Sequence, residues 1–254
     1  MLYNPTKNAF PAVSVTGTNC ALNCKHCGGI YLKHMIPVTQ DSLYDLCMDK
    51  HLKGVLISGG STLTGRVPLD LFLPIIKRIK EEKDLLINVH TGLVTKKDVK
   101  ALKKAHVDCV SFDFVIDRNI LKNVYGLDKT PRDYINSLKI LAKHVNVAPH
   151  LCIGLNYGRV VKELEALKIL SQYPIKKLVL LVLKPTKGTP MENVDVNIEG
   201  VCKVLEKAAE FERVALGCMR PRNEKIEKKA YELGFDIAKP SFLKGKSKNV
   251  CCVF

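Results

Sequence analysis

Gly54-Val55-Leu56-Ile57-Ser58-Gly59-Gly60 is a short apolar run closed by two glycines, the form a strand takes when neighbours cover both of its faces, as in a parallel sheet. Similar runs recur on either side of it. Downstream, a helix pattern from about Leu69 to Lys83 leads to Leu85-Leu86-Ile87-Asn88-Val89-His90, and a helix near Lys96 to Ala105 leads to the run Val107 to Phe114. Upstream, Pro11 to Gly17 alternates small polar and β-branched residues, and a helix from about Gln40 to Lys50 carries Leu43, Leu46 and Cys47 at helical spacing behind a Thr39 cap. Further on, helix Pro131 to Lys143 precedes strand Val145 to Ile153, helix Val160 to Gln172 precedes Lys177 to Leu183, helix Val196 to Phe211 precedes Val214 to Gly217, and helix Asn223 to Leu233 precedes Phe235 to Ala238. Eight strand signals alternating with helices predict an α/β fold, a parallel (βα) TIM-type barrel. The eighth signal is short, so an open barrel of six or seven strands satisfies the same pattern. Residues 1–238 are expected to form the barrel. Residues 239–254, lysine-rich and then Val250-Cys251-Cys252-Val253-Phe254, are expected to form a tail folded over its mouth.

Apolar residues make up 46% of the 254, enough for one large core, and no Pro/Gly/Ser-rich or low-complexity stretch divides the chain. No apolar run reaches the roughly 18 residues that cross a bilayer, so a soluble protein is expected. Ten cysteines without a secretory segment point to a reducing cytosol and, in part, to metal. The 40 basic and 25 acidic residues leave a charge of +15, which invites a nucleic-acid reading. Many lysines, however, fall in clusters such as Lys77 to Lys80, Lys103-Lys104 and Lys225 to Lys229, at spacings that place them on exposed helix faces. Aromatic residues, at 6%, are not interleaved with them for base stacking. The charge therefore reads first as solvated surface, next as a face for an acidic protein, substrate or partner, and last as an RNA site.

Between the first strand and its helix stands Cys20-Ala21-Leu22-Asn23-Cys24-Lys25-His26-Cys27. Thiolates bind soft metals, and three on one loop can each take one iron of a cubane [4Fe-4S] cluster, leaving the fourth iron without a protein ligand. A zinc site calls for a second close pair of ligands, and none lies nearby. His26 as a fourth ligand would be strained between two cysteines on a tight loop. Disulfide pairing would leave an odd thiol.

The spacing C-x3-C-x2-C resembles the signature of the radical S-adenosylmethionine (SAM) superfamily. That resemblance implies a [4Fe-4S] cluster on Cys20, Cys24 and Cys27 whose open iron chelates the amino and carboxylate groups of SAM. It further implies reductive cleavage of SAM to methionine and a 5′-deoxyadenosyl radical, which takes hydrogen from a substrate, and a ferredoxin- or flavodoxin-like reductant protein. His26, inside the loop, is counted with the cofactor-binding residues. The turn Ser58-Gly59-Gly60-Ser61 resembles the family's glycine-rich turn, whose backbone contacts the SAM amino group, although Ser61 stands where the family carries an acid.

In a (βα) barrel the chemistry gathers at the C-terminal ends of the strands. Ser111 and Asp113 share a strand face with Cys109 by period-two alternation, and a carboxylate in a barrel mouth needs donors, which ribose hydroxyls or the SAM ammonium supply. The bland alternative for Asp113 is an ion pair with a strand-end lysine. His150, Cys152 and Gly154 share a face of the next strand. Ile153-Gly154-Leu155 resembles the family's adenine-packing turn, and His150 is either a SAM or substrate contact or a satisfied core histidine.

A closer resemblance, to biotin-synthase-like radical SAM enzymes and the archaeal homologues that include two-component lipoyl synthases, rests on Ser14-Val15-Thr16-Gly17, Gly28 to Leu32, Pro149-His150, Lys184 to Pro190 and Leu216 to Arg222. Such relatives insert sulfur into C–H bonds, drawing it from a second iron–sulfur cluster. Cys47 and Cys202 lie on helices and read as core; Cys109 and Cys152 lie inside strands and read first as buried free cysteines, although the resemblance to biotin synthase also implies auxiliary-cluster ligands on barrel strands. Cys218, Cys251 and Cys252 remain as ligands for an auxiliary [4Fe-4S] cluster. The alternatives are a single-cluster radical SAM methyltransferase or cofactor-assembly enzyme and, outside catalysis, a basic iron–sulfur or zinc protein that binds RNA. A partner radical SAM subunit also fits the closer resemblance.

Overall fold

The computed structural model describes all 254 residues, Met1–Phe254. In chain order the strands are β1 (Leu2–Tyr3), β2 (Ala12–Ser14), β3 (Ile36–Pro37), β4 (Gly54–Ser58), β5 (Leu86–His90), β6 (Cys109–Asp113), β7 (Val147–Ile153), β8 (Leu178–Val182), β9 (Val214–Leu216), β10 (Asp236–Ala238) and β11 (Ser247–Lys248). The helices between them are α1 (Gln40–Met48), α2 (Leu73–Glu82), α3 (Lys96–Lys104), α4 (Pro131–His144), α5 (Glu163–Leu170), α6 (Ile198–Ala208) and α7 (Glu224–Glu232). All strand pairings are parallel. They run in the order β11-β1-β10-β9-β8-β7-β6-β5-β4-β2-β3, so β3 and β11 are free edges and the curled sheet is a partial barrel. The eight expected strands and seven expected helices are all present. The two-residue strands β1, β3 and β11 carried no signal, because two residues cannot display a period.

The helices form where the sequence places an apolar stripe behind a cap. Thr39 and Thr95 start α1 and α3 with capping boxes, each hydroxyl accepting from the residue three on, which returns a bond to the cap's own N–H. Helix α2 turns Leu73, Ile76 and Ile79 inward, and the complete burial of Ile76 and Ile79 stabilises by about 1.5–3 kcal/mol each. Cys47 and Cys202 are buried on α1 and α6, as read from the sequence. No helix is long and apolar enough to cross a membrane.

The tail departs from expectation: it enters the barrel from the end opposite the mouth. Lys177 and Arg213 immediately precede β8 and β9 and so mark that base. The Lys177 ammonium donates to the main-chain oxygens of Cys252 at 2.7 Å and Phe254 at 3.3 Å, and the Tyr3 hydroxyl donates to the Phe254 oxygen at 3.0 Å. Cys252 and Val253 complete an apolar cluster with Tyr3, Cys109, Ala148, Val179, Ala215 and Ala238, inward residues of six strands. Three of those are alanine. The small side chains leave a space at the base that the tail fills, whereas the mouth is lined by polar groups to which a Cys-Cys-Val-Phe segment has nothing to offer. Lys177, 3% exposed, is balanced by Asp236 at 2.8 Å, which also holds the Met1 ammonium at 3.0 Å.

Candidate active site

The cysteine turn lies at the C-terminal end of β2 and is stitched to the turn that ends β4. The Gly60 N–H donates to the Thr16 hydroxyl oxygen at 2.7 Å, that hydroxyl donates to the Asn19 carbonyl at 2.9 Å, and the Ala21 N–H donates to the Ser61 carbonyl at 2.8 Å. The Ser61 N–H points at the Cys20 sulfur, 3.4 Å away. A Cβ on Gly60 would lie 1.9 Å from the Asn19 oxygen and 2.7 Å from the Cys20 Cα, so only glycine permits this approach. On the other side the loop meets the segment after β6: the Lys25 N–H donates to the Val124 carbonyl at 2.8 Å, and the Cys24 thiol faces the Tyr125 carbonyl at 3.8 Å. Gly28 and Gly29, with φ of 51° and 69°, turn the chain out of the loop.

The loop gathers soft donors. The ligand atoms of Cys24, His26 and Cys27 lie within 4.8 Å of one another. Hydrogen bonding with Cys24 pulls the Cys27 thiol down, and the same bond together with burial pushes Cys24 up, so one thiolate forms readily within the pair. The His26 ring is 5.5 Å from Tyr125, and its Nδ1 is buried without a partner. Soft sulfur donors and an unsatisfied buried nitrogen fit a metal cluster with a polar ligand beside it.

Below the loop, the strand ends supply a charged pair. His90 Nε2 at the end of β5 lies 3.3 Å from Asp113 Oδ2 at the end of β6, within ion-pair range but without hydrogen-bond geometry. Ser58 at the end of β4 is 3.4 Å from His90 Nδ1, and the His150 ring on β7 is 6.5 Å from that of His90. Burial acts against charge on both members of the pair, yet their mutual attraction outweighs it: His90 titrates above its ordinary value and Asp113 is held down at about 2. Burial and the neighbouring His90 leave His150 below its ordinary value, although Asp113 pulls the other way. The Asp113 carboxylate remains 43% exposed, open to whatever enters the mouth.

The candidates read from the sequence fall into three places. Cys20, Cys24, Cys27, His26, Ser58, Gly59, Gly60, Asp113 and His150 surround the mouth, and the partner of Asp113 is a histidine in place of a lysine. The Ser111 hydroxyl donates to Asn88 Oδ1 at 3.0 Å, and the Gly154 N–H donates to the buried Glu163 at 2.8 Å, so each has a protein partner. At Ser61 the hydroxyl donates to the Thr62 carbonyl, at 3.2 Å. Cys251, in the plug, lies 3.8 Å from Asn88 Nδ2, Cys252 is buried and Cys218 is exposed. Sequence reasoning missed His90 and Thr16. The signal for His90 was its place as the last residue of a strand, the place Ser58 and Asp113 hold in theirs.

A three-cysteine turn over the polar mouth of an open parallel barrel defines a class of iron–sulfur enzyme. Residues 14–170, more than half of the chain, match the Radical SAM superfamily, and the protein belongs to that family, whose members work with a [4Fe-4S] cluster and SAM. The chain is 23% identical over 189 residues to a biotin synthase of Clostridioides difficile (strain 630), a match that covers 70% of this chain and 57% of that protein. Among solved structures it is similar to methylornithine synthase (PylB), with a TM-score of 0.68 at 13% identity over 96% of this chain and 74% of that one. It is also similar to the [FeFe]-hydrogenase maturase HydG of Carboxydothermus hydrogenoformans, with a TM-score of 0.67 at 16% identity over 94% and 58%. SAM-bound SuiB of Streptococcus suis gives a TM-score of 0.63 at 14% identity over 87% and 52%. At these identities the structural likenesses concern the fold.

Proposed function

We propose that Cys20, Cys24 and Cys27 hold the [4Fe-4S] cluster, that SAM binds in the mouth beside Asp113 and His90, and that the enzyme removes hydrogen from a substrate C–H for sulfur insertion. The observation that carries the site assignment is the cysteine turn stitched to Ser58–Ser61 with the unpartnered His26 nitrogen beside it. When bound, cluster and SAM supply the electron transfer and homolytic cleavage that side chains cannot. The chain's own part is positional. Asp113, held ionised by His90, offers an acceptor to an ammonium or a hydroxyl, and Ser58 steadies the His90 ring. Gly60 keeps the β4 turn free of a side chain where it abuts the cysteine turn, and Gly59 does so where it meets Val15 and Thr16. The plug closes the base of the barrel against water.

Sulfur insertion rests on Cys218, Cys251 and Cys252 as holders of a second cluster, with Cys251 reaching Asn88 in the barrel interior. After anaerobic reconstitution, iron should approach about eight per chain, and changing Cys251 and Cys252 to alanine should remove about half of it. About four irons in both proteins would eliminate the second cluster. One observation favours a single-cluster methyltransferase or cofactor-assembly enzyme: Cys252 packs in the apolar plug at the base of the barrel, whereas Cys218 follows β9 and is exposed. Product analysis separates the two, since insertion consumes the protein's own sulfide and methylation consumes the SAM methyl group.

A further inference from the structure

The +15 charge is unevenly balanced across the surface. On the outer helices many cations have partners: Lys77 and Arg78 pair with Glu81 and Glu82 on α2, and Lys229 and Lys228 pair with Glu206 and Glu224 at α6 and α7. Others, such as Lys103 and Lys104 on α3, have none, and around the cysteine turn Lys162 pairs with Glu165 while four other cations are left unpaired. Lys25 on the turn itself, Arg118 and Lys122 in the segment after β6, and Arg159 in the segment after β7 are all exposed, and none of them forms an ion pair.

These segments adjoin the cysteines. Lys25 stands between Cys24 and Cys27, its N–H is held by Val124, and its ammonium donates to the Tyr157 hydroxyl at 3.4 Å. The acids within the same segments are occupied: Asp117 is buried and accepts from the Asn119 N–H, and Glu163 is buried and accepts from the Gly154 and Val161 N–H groups. Asp128 and Asp195 are exposed only at the borders. Beside the cations lies an apolar strip, Tyr157 at 37%, Val161 at 53% and Leu164 at 49% exposed. An aromatic and aliphatic centre with a charged rim is the composition of a protein-binding face.

We propose that this face docks an acidic one-electron carrier protein, the reductant of the cluster. The inference rests on the assignment of the cluster to the cysteine turn. Electron transfer requires the carrier's redox centre to come close to the cluster, and the outer side of the turn is where Lys25 and Tyr157 stand. Uncompensated cations there attract a negatively charged carrier, speed the encounter and orient it.

The test uses a reduced acidic flavodoxin as probe and two charge-reversed variants. Arg118→Glu/Arg159→Glu alters the face, and Lys103→Glu/Lys104→Glu makes the same change in net charge at the C-terminal end of α3. Flavodoxin binding is measured by fluorescence anisotropy, and SAM cleavage is measured once with flavodoxin and once with dithionite. The face variant should weaken binding and flavodoxin-driven cleavage by about tenfold or more, while dithionite-driven cleavage and the α3 variant stay within about twofold of wild type. Binding should also weaken as salt rises. Equal losses in both variants, or unchanged binding in the face variant, would overturn the docking face. If wild-type protein cleaved no SAM even with dithionite, the proposed function would fall, and the binding measurements would still decide the face.

Discussion

Gly60→Ala tests whether the cysteine turn is positioned by backbone contact with the β4 turn. The added Cβ would meet the Asn19 oxygen at 1.9 Å and the Cys20 Cα at 2.7 Å, where real contacts essentially never fall below 3.0 Å. The two turns must therefore separate by at least 1.1 Å, the difference between 3.0 and 1.9. Both obstacles are backbone atoms, so no side chain can swing away. A metal ligand set tolerates displacement of about 0.5 Å, and overpacking of this kind costs about 1–3 kcal/mol, or about 2–12 °C in Tm for a chain of this size. Gly17→Ala is the control. Its φ is 59°, so an alanine there is strained by about 1–2 kcal/mol, but its Cβ would meet nothing within 4 Å. After anaerobic reconstitution, Gly60→Ala should hold much less iron than Gly17→Ala at comparable Tm. If it took up as much iron as wild type, the claim that this contact sets the ligand geometry would be refuted.

Two further perturbations address the mouth and the base. Asp113→Asn removes the charge that keeps His90 above its ordinary value, so burial alone acts and the His90 midpoint, followed by NMR in iron-free protein, should drop below 6.5; an unmoved midpoint would contradict the pairing. The sign of the pH dependence follows from the same shifts. The His90 contribution to stability is complete below its unfolded value and fades as pH rises through its raised folded value, while that of Asp113 is complete above the usual carboxylate range and fades as pH falls through about 2. Lys177→Met deprives Asp236 of its buried partner and removes the ammonium from the Cys252 and Phe254 oxygens, of which Phe254 keeps the Tyr3 hydroxyl. Breaking such a pair costs about 3–5 kcal/mol, and limited proteolysis should cut residues 239–254 faster than in wild type; an unchanged cleavage rate would mean that the plug is held without the Lys177 bonds.

Much of this was legible in the sequence, for a physical reason. A buried parallel strand is apolar on both faces and its covering helix on one, so Gly54–Ser58 and Leu73–Glu82 announce themselves within a few residues. The cysteine spacing was equally local. What was not legible depended on contacts between distant segments. Residues 250–254 resemble an unattached apolar end until Ala148, Ala215 and Ala238 are seen to leave the base of the barrel open. The charge of Lys25, Arg118, Lys122 and Arg159 looks like any other surface charge until the acids nearby are found already occupied.

The mouth shows the same limit more sharply. Period-two alternation states which side of the sheet a residue faces but not how high in the barrel it stands. His90 is in register with Ser111, not Asp113, and from that pairing alone Ser111 would be its partner. Strands in a curled sheet are tilted, so inward residues at equal height are offset along neighbouring strands. His90 therefore meets Asp113, two residues further along β6, and Ser111 faces Asn88, two residues earlier on β5. The tilt that takes Ser111 from the mouth pairs the carboxylate with an imidazole, and that pairing keeps Asp113 ionised where the substrate enters.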